Sequence, residues 1–142
     1  MTQEFYALGN DRTACNIRAF LDHFAPKRES CCEDYPVPES SGTPAFVFKT
    51  EGEILKYLEA HPDESYAIYW NHQGSSLNQA MVFYTRDGNV IFGLAEESET
   101  PDRRLQELAE YVGAKHALMG SEQPPPSTSR EFVALCKKAI KK

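Results

Sequence analysis

The chain has 142 residues, with 21 Asp and Glu against 15 Lys and Arg and a formal net charge of −6. A chain of that length buries about 68% of its unfolded surface, enough for one domain without disulfide or metal staples. The acidic balance argues against nucleic acid and anionic membranes, which need clustered Lys and Arg, and no apolar run approaches the ~18 residues of a membrane span.

The opening run MTQEFYALGNDR has neither a basic start nor an apolar stretch, so no secretory leader and a cytoplasmic location are expected. Asp11 to Phe24 then reads as a helix. Ile17, Phe20, Leu21 and Phe24 fall at i, i+3, i+4 and i+7, one apolar stripe, and Pro26 closes it. Ala25 to Pro44 holds Pro26, Pro36, Pro38 and Pro44, the Ser40-Ser41-Gly42 run, and the acids Glu29, Glu33, Asp34 and Glu39. It reads as a long surface loop, of a length that is uncommon unless functional or mobile.

Ala45 to Lys49 is a short strand. Thr50 to Glu53 is a capping box, and Ile54, Leu55 and Leu58 are the buried stripe of a second helix ending near His61-Pro62. Tyr66 to Asn71 is a strand and His72 to Asn78 a polar loop. Gln79 to Arg86 and Asn89 to Ala95 form a hairpin about Asp87-Gly88, the strongest short-range hairpin signal. A two-residue turn there sets Arg86 opposite Asn89, Thr85 opposite Val90, Phe83 opposite Phe92 and Met81 opposite Leu94. Val82, Tyr84 and Ile91 take the other face. Both faces are apolar, so helices or a partner must cover both.

After Glu96-Glu97-Ser98-Glu99, Thr100 caps a third helix with Pro101 in its first turn. Leu105, Leu108, Ala109 and Val112 form its stripe, and Gly113 ends it. His116 to Met119 is a short extended segment, and Gly120 to Ser127, with three prolines, a stiff connector. Thr128 to Glu131 is a second capping box, and Phe132, Leu135, Cys136 and Ile140 bury the last helix. Lys137, Lys138, Lys141 and Lys142 suit its dipole. The order implies one α+β domain over residues 1–142: a mainly antiparallel sheet of about three to five strands with about four helices packed against it.

Residue chemistry is sparse. His23, His61, His72 and His116 include no i, i+4 pair, and Cys15, Cys31, Cys32 and Cys136 contain no CxxC knuckle. The cysteines read as reduced thiols, with Cys15 and Cys136 as small buried hydrophobes. The loop from Asn71 to Ser76 holds a His and two Ser without a GxSxG elbow, and the glycines form no phosphate loop. No catalytic residue, metal or cofactor is expected. Trp70 is either a core aromatic or an interface anchor. The acids Glu29, Glu33, Asp34 and Glu39, and Glu96, Glu97, Glu99 and Asp102, are either a solubilising surface or a docking face that steers a basic partner.

The run DGNVIFGLAEE after a β-rich Tyr-Trp segment, and the later SEQPPPSTSREFVAL, resemble small immunity proteins of bacterial toxin systems. The resemblance covers the half from Tyr66 onward. It implies a non-enzymatic inhibitor that neutralises a cognate protein toxin by binding it, and carries over no catalytic residue. On this reading the partner-binding set is Trp70, Glu96, Glu97, Glu99, Asp102, Glu33 and Asp34. The acidity favours a basic toxin, and the oligomeric state is left open. Two alternatives stand beside it: a small ligand-binding or enzymatic domain using a pocket near Trp70 and His72, and a structural or regulatory subunit covering the apolar sheet face with a partner chain.

Overall fold

In a computed structural model of the chain, residues 2–31, 33–38, 43–73, 76–120 and 124–140 are described. Among them the elements run β1 (Gln3–Gly9), α1 (Ala14–Phe24), β2 (Arg28–Ser30), β3 (Tyr35–Val37), β4 (Phe46–Phe48), α2 (Glu51–Ala60), β5 (Tyr66–His72), β6 (Leu77–Tyr84), β7 (Val90–Glu96), α3 (Pro101–Val112), β8 (Ala117–Gly120) and α4 (Ser129–Ile140). Six strands form one antiparallel sheet in the order β2-β5-β6-β7-β1-β8, and β3 pairs with β4 in a separate ribbon. The α+β class is as expected, but the main sheet has six strands where three to five were expected, and a two-stranded ribbon accompanies it. No helix among the described residues is long and apolar enough to cross a membrane.

The additional strands have physical explanations. β1 lies between β7 and β8, so both its edges are paired. Phe5 and Ala7 join one core cluster and Tyr6 the other, which erases the polar-apolar alternation that marks a half-exposed strand. The segment from Ala25 to Pro44 is not simply a surface loop. It supplies β2, which borders β5, and β3, whose Tyr35 and Val37 are buried on either side of Pro36. Proline is tolerated there because a two-stranded ribbon has free edges. Cys32, Glu39, Ser40 to Gly42, Gly74, Ser75, Ser121 to Gln123 of the expected connector, Lys141, Lys142 and the side chain of Ile140 lie outside the described residues.

The hairpin forms, but its register is shifted by one residue. Tyr84 faces Val90, Phe83 faces Ile91, Val82 faces Phe92 and Met81 faces Gly93. Thr85 donates its N–H to the Asn89 carbonyl at 3.0 Å, leaving Arg86, Asp87 and Gly88 as a three-residue loop. Gly88 takes φ +89°, the left-handed closing position of such a loop. The longer loop lets the Asp87 carboxylate cap α4: it accepts the Ser129 N–H at 2.9 Å and the Ser129 hydroxyl at 2.6 Å. Those bonds outweigh the effect of burial and lower the Asp87 pKa to about 2.

The sheet is apolar on both faces and its own helices cover both. Val82, Tyr84, Val90, Phe92 and Leu94 meet Ile17, Phe20 and Leu21 of α1, Ile54, Leu55 and Leu58 of α2, and Leu108 of α3. Tyr6, Met81, Phe83, Ile91 and Ala95 meet Phe132 and Cys136 of α4. Leu135 was expected among the buried residues of α4 but is 46% exposed, since it lies about 100° around the helix from Cys136, off the Phe132–Cys136 line that meets the sheet.

Local signals mostly hold. Thr50 accepts from the Glu53 N–H at 3.2 Å, Thr128 from the Glu131 N–H at 3.2 Å, and Gly113 closes α3 at φ +67°. Thr100 makes no side-chain cap bond; its own N–H donates instead to the Ser98 hydroxyl at 3.1 Å. The first helix starts at Ala14, with Thr13 as cap, which frees Arg12 for another task. Its buried guanidinium donates to the carbonyls of Leu58 (3.2 Å), His61 (3.3 Å), Pro62 (3.3 Å), Glu64 (3.0 Å), Thr85 (2.7 Å) and Asn89 (3.1 Å). One side chain thus satisfies orphan carbonyls at the end of α2 and ties them to the hairpin turn.

Candidate interaction surfaces

The residues expected to meet a partner separate into three environments. Trp70 is only 1% exposed, and its indole N–H donates to the Glu51 carboxylate in the first turn of α2. Its even position on β5, shared with Tyr66 and Ile68, turns it into the helix-covered core. The interface-anchor reading is therefore corrected: Trp70 is a core aromatic with a satisfied polar atom. His72 is half-buried at the end of β5, opposite Arg28.

Glu96 ends β7, on the same face as Leu94 and Phe92, and is 3% exposed. Its carboxylate is held by Arg104 of α3 through Nε, with Nη2 at 3.4 Å from the second oxygen and the Ser76 hydroxyl at 3.4 Å. Arg104 also reaches Glu107 at 3.2 Å and lies 5.2 Å from the Phe24 ring centroid. Glu96 is thus an internal ion-pair partner rather than a displayed charge, a correction that strand parity and the following helix impose together. Glu97, Glu99 and Asp102 remain exposed. Glu97 and Glu99, with Glu96, Arg104, Glu107, Ser76, Ser98 and Thr100, line an open depression of about 770 Å³ at the β7–α3 junction, and Asp102 lies just beyond it in the first turn of α3. Acids there also complement the N-terminal dipole of α3.

Glu33 and Asp34 lie elsewhere, at the start of the β3–β4 ribbon, where Asp34 pairs with Lys49 at 3.6 Å. Beside them is a surface that the sequence reading did not single out. Phe46 is 54% exposed and Val47 42% exposed. Alternation sets Phe46 and Phe48 on one side of β4, with ring centroids 6.2 Å apart. Tyr57 of α2 packs 5.2 Å from Phe48 and 6.1 Å from Phe46, and His61, one helical turn later, stacks on Tyr57 at 3.9 Å. The available signal was FVF followed by an i, i+4 aromatic pair, but only folding brings them together.

His23 stacks on Tyr111 at 4.2 Å. Cys15, Cys31 and Cys136 are free; Cys15 is exposed rather than buried, and burial raises the Cys136 thiol to about 11. Among the described residues no group of three His, Cys, Asp or Glu is placed to hold a metal ion. No family profile, curated protein or solved structure matches the chain.

Proposed function

We propose that this chain is a non-enzymatic binding protein of the immunity type, which neutralises a basic protein toxin by covering part of its surface. The observation that carries this reading is the display of Glu97 and Glu99 around the β7–α3 depression, with exposed Asp102 following in the first turn of α3, on a base fixed by the Glu96–Arg104 pair. Exposed charges on a rigid support accelerate encounter with an oppositely charged partner while adding little to folding stability. The burial of Trp70 and the capture of its indole by Glu51 disfavour the alternative of a ligand pocket there.

The test is stopped-flow association with the product of the adjacent gene at two salt concentrations. A variant carrying Glu97→Lys, Glu99→Lys and Asp102→Lys should fold normally but associate about tenfold more slowly at low salt, with most of the salt sensitivity gone. An unchanged on-rate removes this face from recognition, and the absence of any complex removes the inhibitor reading.

A further inference from the structure

We infer that the aromatic face formed by β4 and α2 receives an apolar side chain carried on a basic segment of a partner protein. This rests on the reading of the chain as a binding protein, but not on the partner being a toxin.

Phe46 and Val47, adjacent in sequence, point to opposite sides of a two-stranded ribbon and are both more than 40% exposed. A solitary exposed apolar residue is ordinary, whereas exposed Phe46 continues into half-buried Phe48 and Tyr57, which rest on the main core, and then into exposed His61. Among the described residues β3 and β4 pair only with each other, so this surface is no part of the six-stranded sheet. Aromatic side chains in such positions bury large area with few rotors, which is why they dominate binding hot spots.

The chemistry of the occupant follows from the rim. Glu64 accepts from the Tyr57 hydroxyl at 3.4 Å, and Glu53 lies one turn before Tyr57 on the same side of α2. Lys49 is paired with Asp34, and Lys56 lies about 100° around the helix from Tyr57. An apolar centre within an acidic rim selects an apolar side chain flanked by Lys or Arg. It disfavours a second copy of this chain, since a two-fold contact would set the same acids against one another. The rings are also in mutual contact, so they offer a face to pack on and not a cage around a free ammonium ion.

The experiment is an NMR titration of the isotope-labelled chain with a synthetic peptide of alternating lysine and leucine, beside a glutamate–leucine peptide of equal length. Shifts are expected at residues 33–34, 46–49 and 57–64 with the lysine peptide, weakening about tenfold in high salt. The glutamate peptide should give none. A Phe46→Ser, Val47→Ser variant with unchanged circular dichroism should bind the lysine peptide about tenfold or more weakly. Shifts mapping elsewhere, equal binding of the glutamate peptide, or an unaffected double variant would overturn the inference. So would concentration-dependent shifts at these residues without peptide, which identify a second copy as the occupant. The two peptide arms use the unaltered chain, so they stand even if the variant misfolds. A complex with the adjacent gene product that needs Glu97, Glu99 and Asp102, together with a peptide that misses the ribbon, would retain the proposed function and overturn this inference alone.

Discussion

The β7–α3 junction turns its first acid inward, whereas the β3–β4 ribbon turns its aromatics outward. At the junction Glu96 and Arg104 neutralise each other beneath a rim of exposed carboxylates. At the ribbon Phe46 and Val47 stay in water beside Asp34 and Lys49. Residue type alone would assign each to the other environment. The difference teaches that a displayed group is identified by what its backbone position leaves uncovered. Glu96 continues the inward parity of Leu94 and meets a helix, while β4 lies outside the main sheet.

The largest expected effect tests the inward half of this contrast. Glu96→Ala leaves the Arg104 guanidinium without its buried partner and should cost about 3 kcal/mol in urea unfolding. The same change at Glu97 or Glu99 should stay within about 0.5 kcal/mol. A cost at Glu96 as small as at its neighbours would show that the pair is not internal.

Asp87 sharpens the contrast, being an exposed acid with a structural task. Its carboxylate accepts the Ser129 and Arg130 N–H groups, so Asp87→Asn should cost about 1 kcal/mol. Because hydrogen bonds from Ser129 prevail over burial and hold its pKa at about 2, below the ordinary 3.8, its stabilisation is complete above pH 4 and is lost as pH falls toward 2. The variant should therefore lose less stability than the parent between pH 4 and 2. Parallel acid-unfolding curves would contradict this. At the same turn Gly88→Val should cost at least about 1 kcal/mol, since φ +89° is strained for a β-branched residue.

The smallest effect belongs to the outward half. Phe46→Ser with Val47→Ser should change folding stability by no more than about 0.5 kcal/mol, because neither side chain is buried. A cost of several times that would mean the ribbon supports the fold.

Much of the local structure was legible in the sequence, because its signals are themselves local. Thr50, Thr128, Gly113 and the stripes of α1, α2 and α3 act within one or two turns of chain. The hairpin was visible in Asp87-Gly88, but not its loop length, because Asp87 is committed to α4, some forty residues later. β1 escaped notice because an interior strand buried on both faces lacks alternation, and β2 and β3 because three residues, one set containing Pro36, hold too little pattern. The environments of Trp70, Glu96 and Arg12 are set by Glu51, Arg104 and carbonyls up to 77 positions away, which no spacing rule reports. Exposure of Phe46 was equally hidden, since FVF reads the same in a core strand and on a free ribbon.

The most direct test of the central claim, that two exposed surfaces serve recognition while Glu96 serves the fold, is a kinetic comparison against the adjacent gene product. Association and dissociation would be measured for the unaltered chain, the Glu97→Lys, Glu99→Lys, Asp102→Lys variant and the Phe46→Ser, Val47→Ser variant. The account predicts that charge reversal slows association and flattens its salt dependence, while removing the apolar side chains speeds dissociation about tenfold or more at a nearly unchanged on-rate. Rates indistinguishable among all three chains would contradict it.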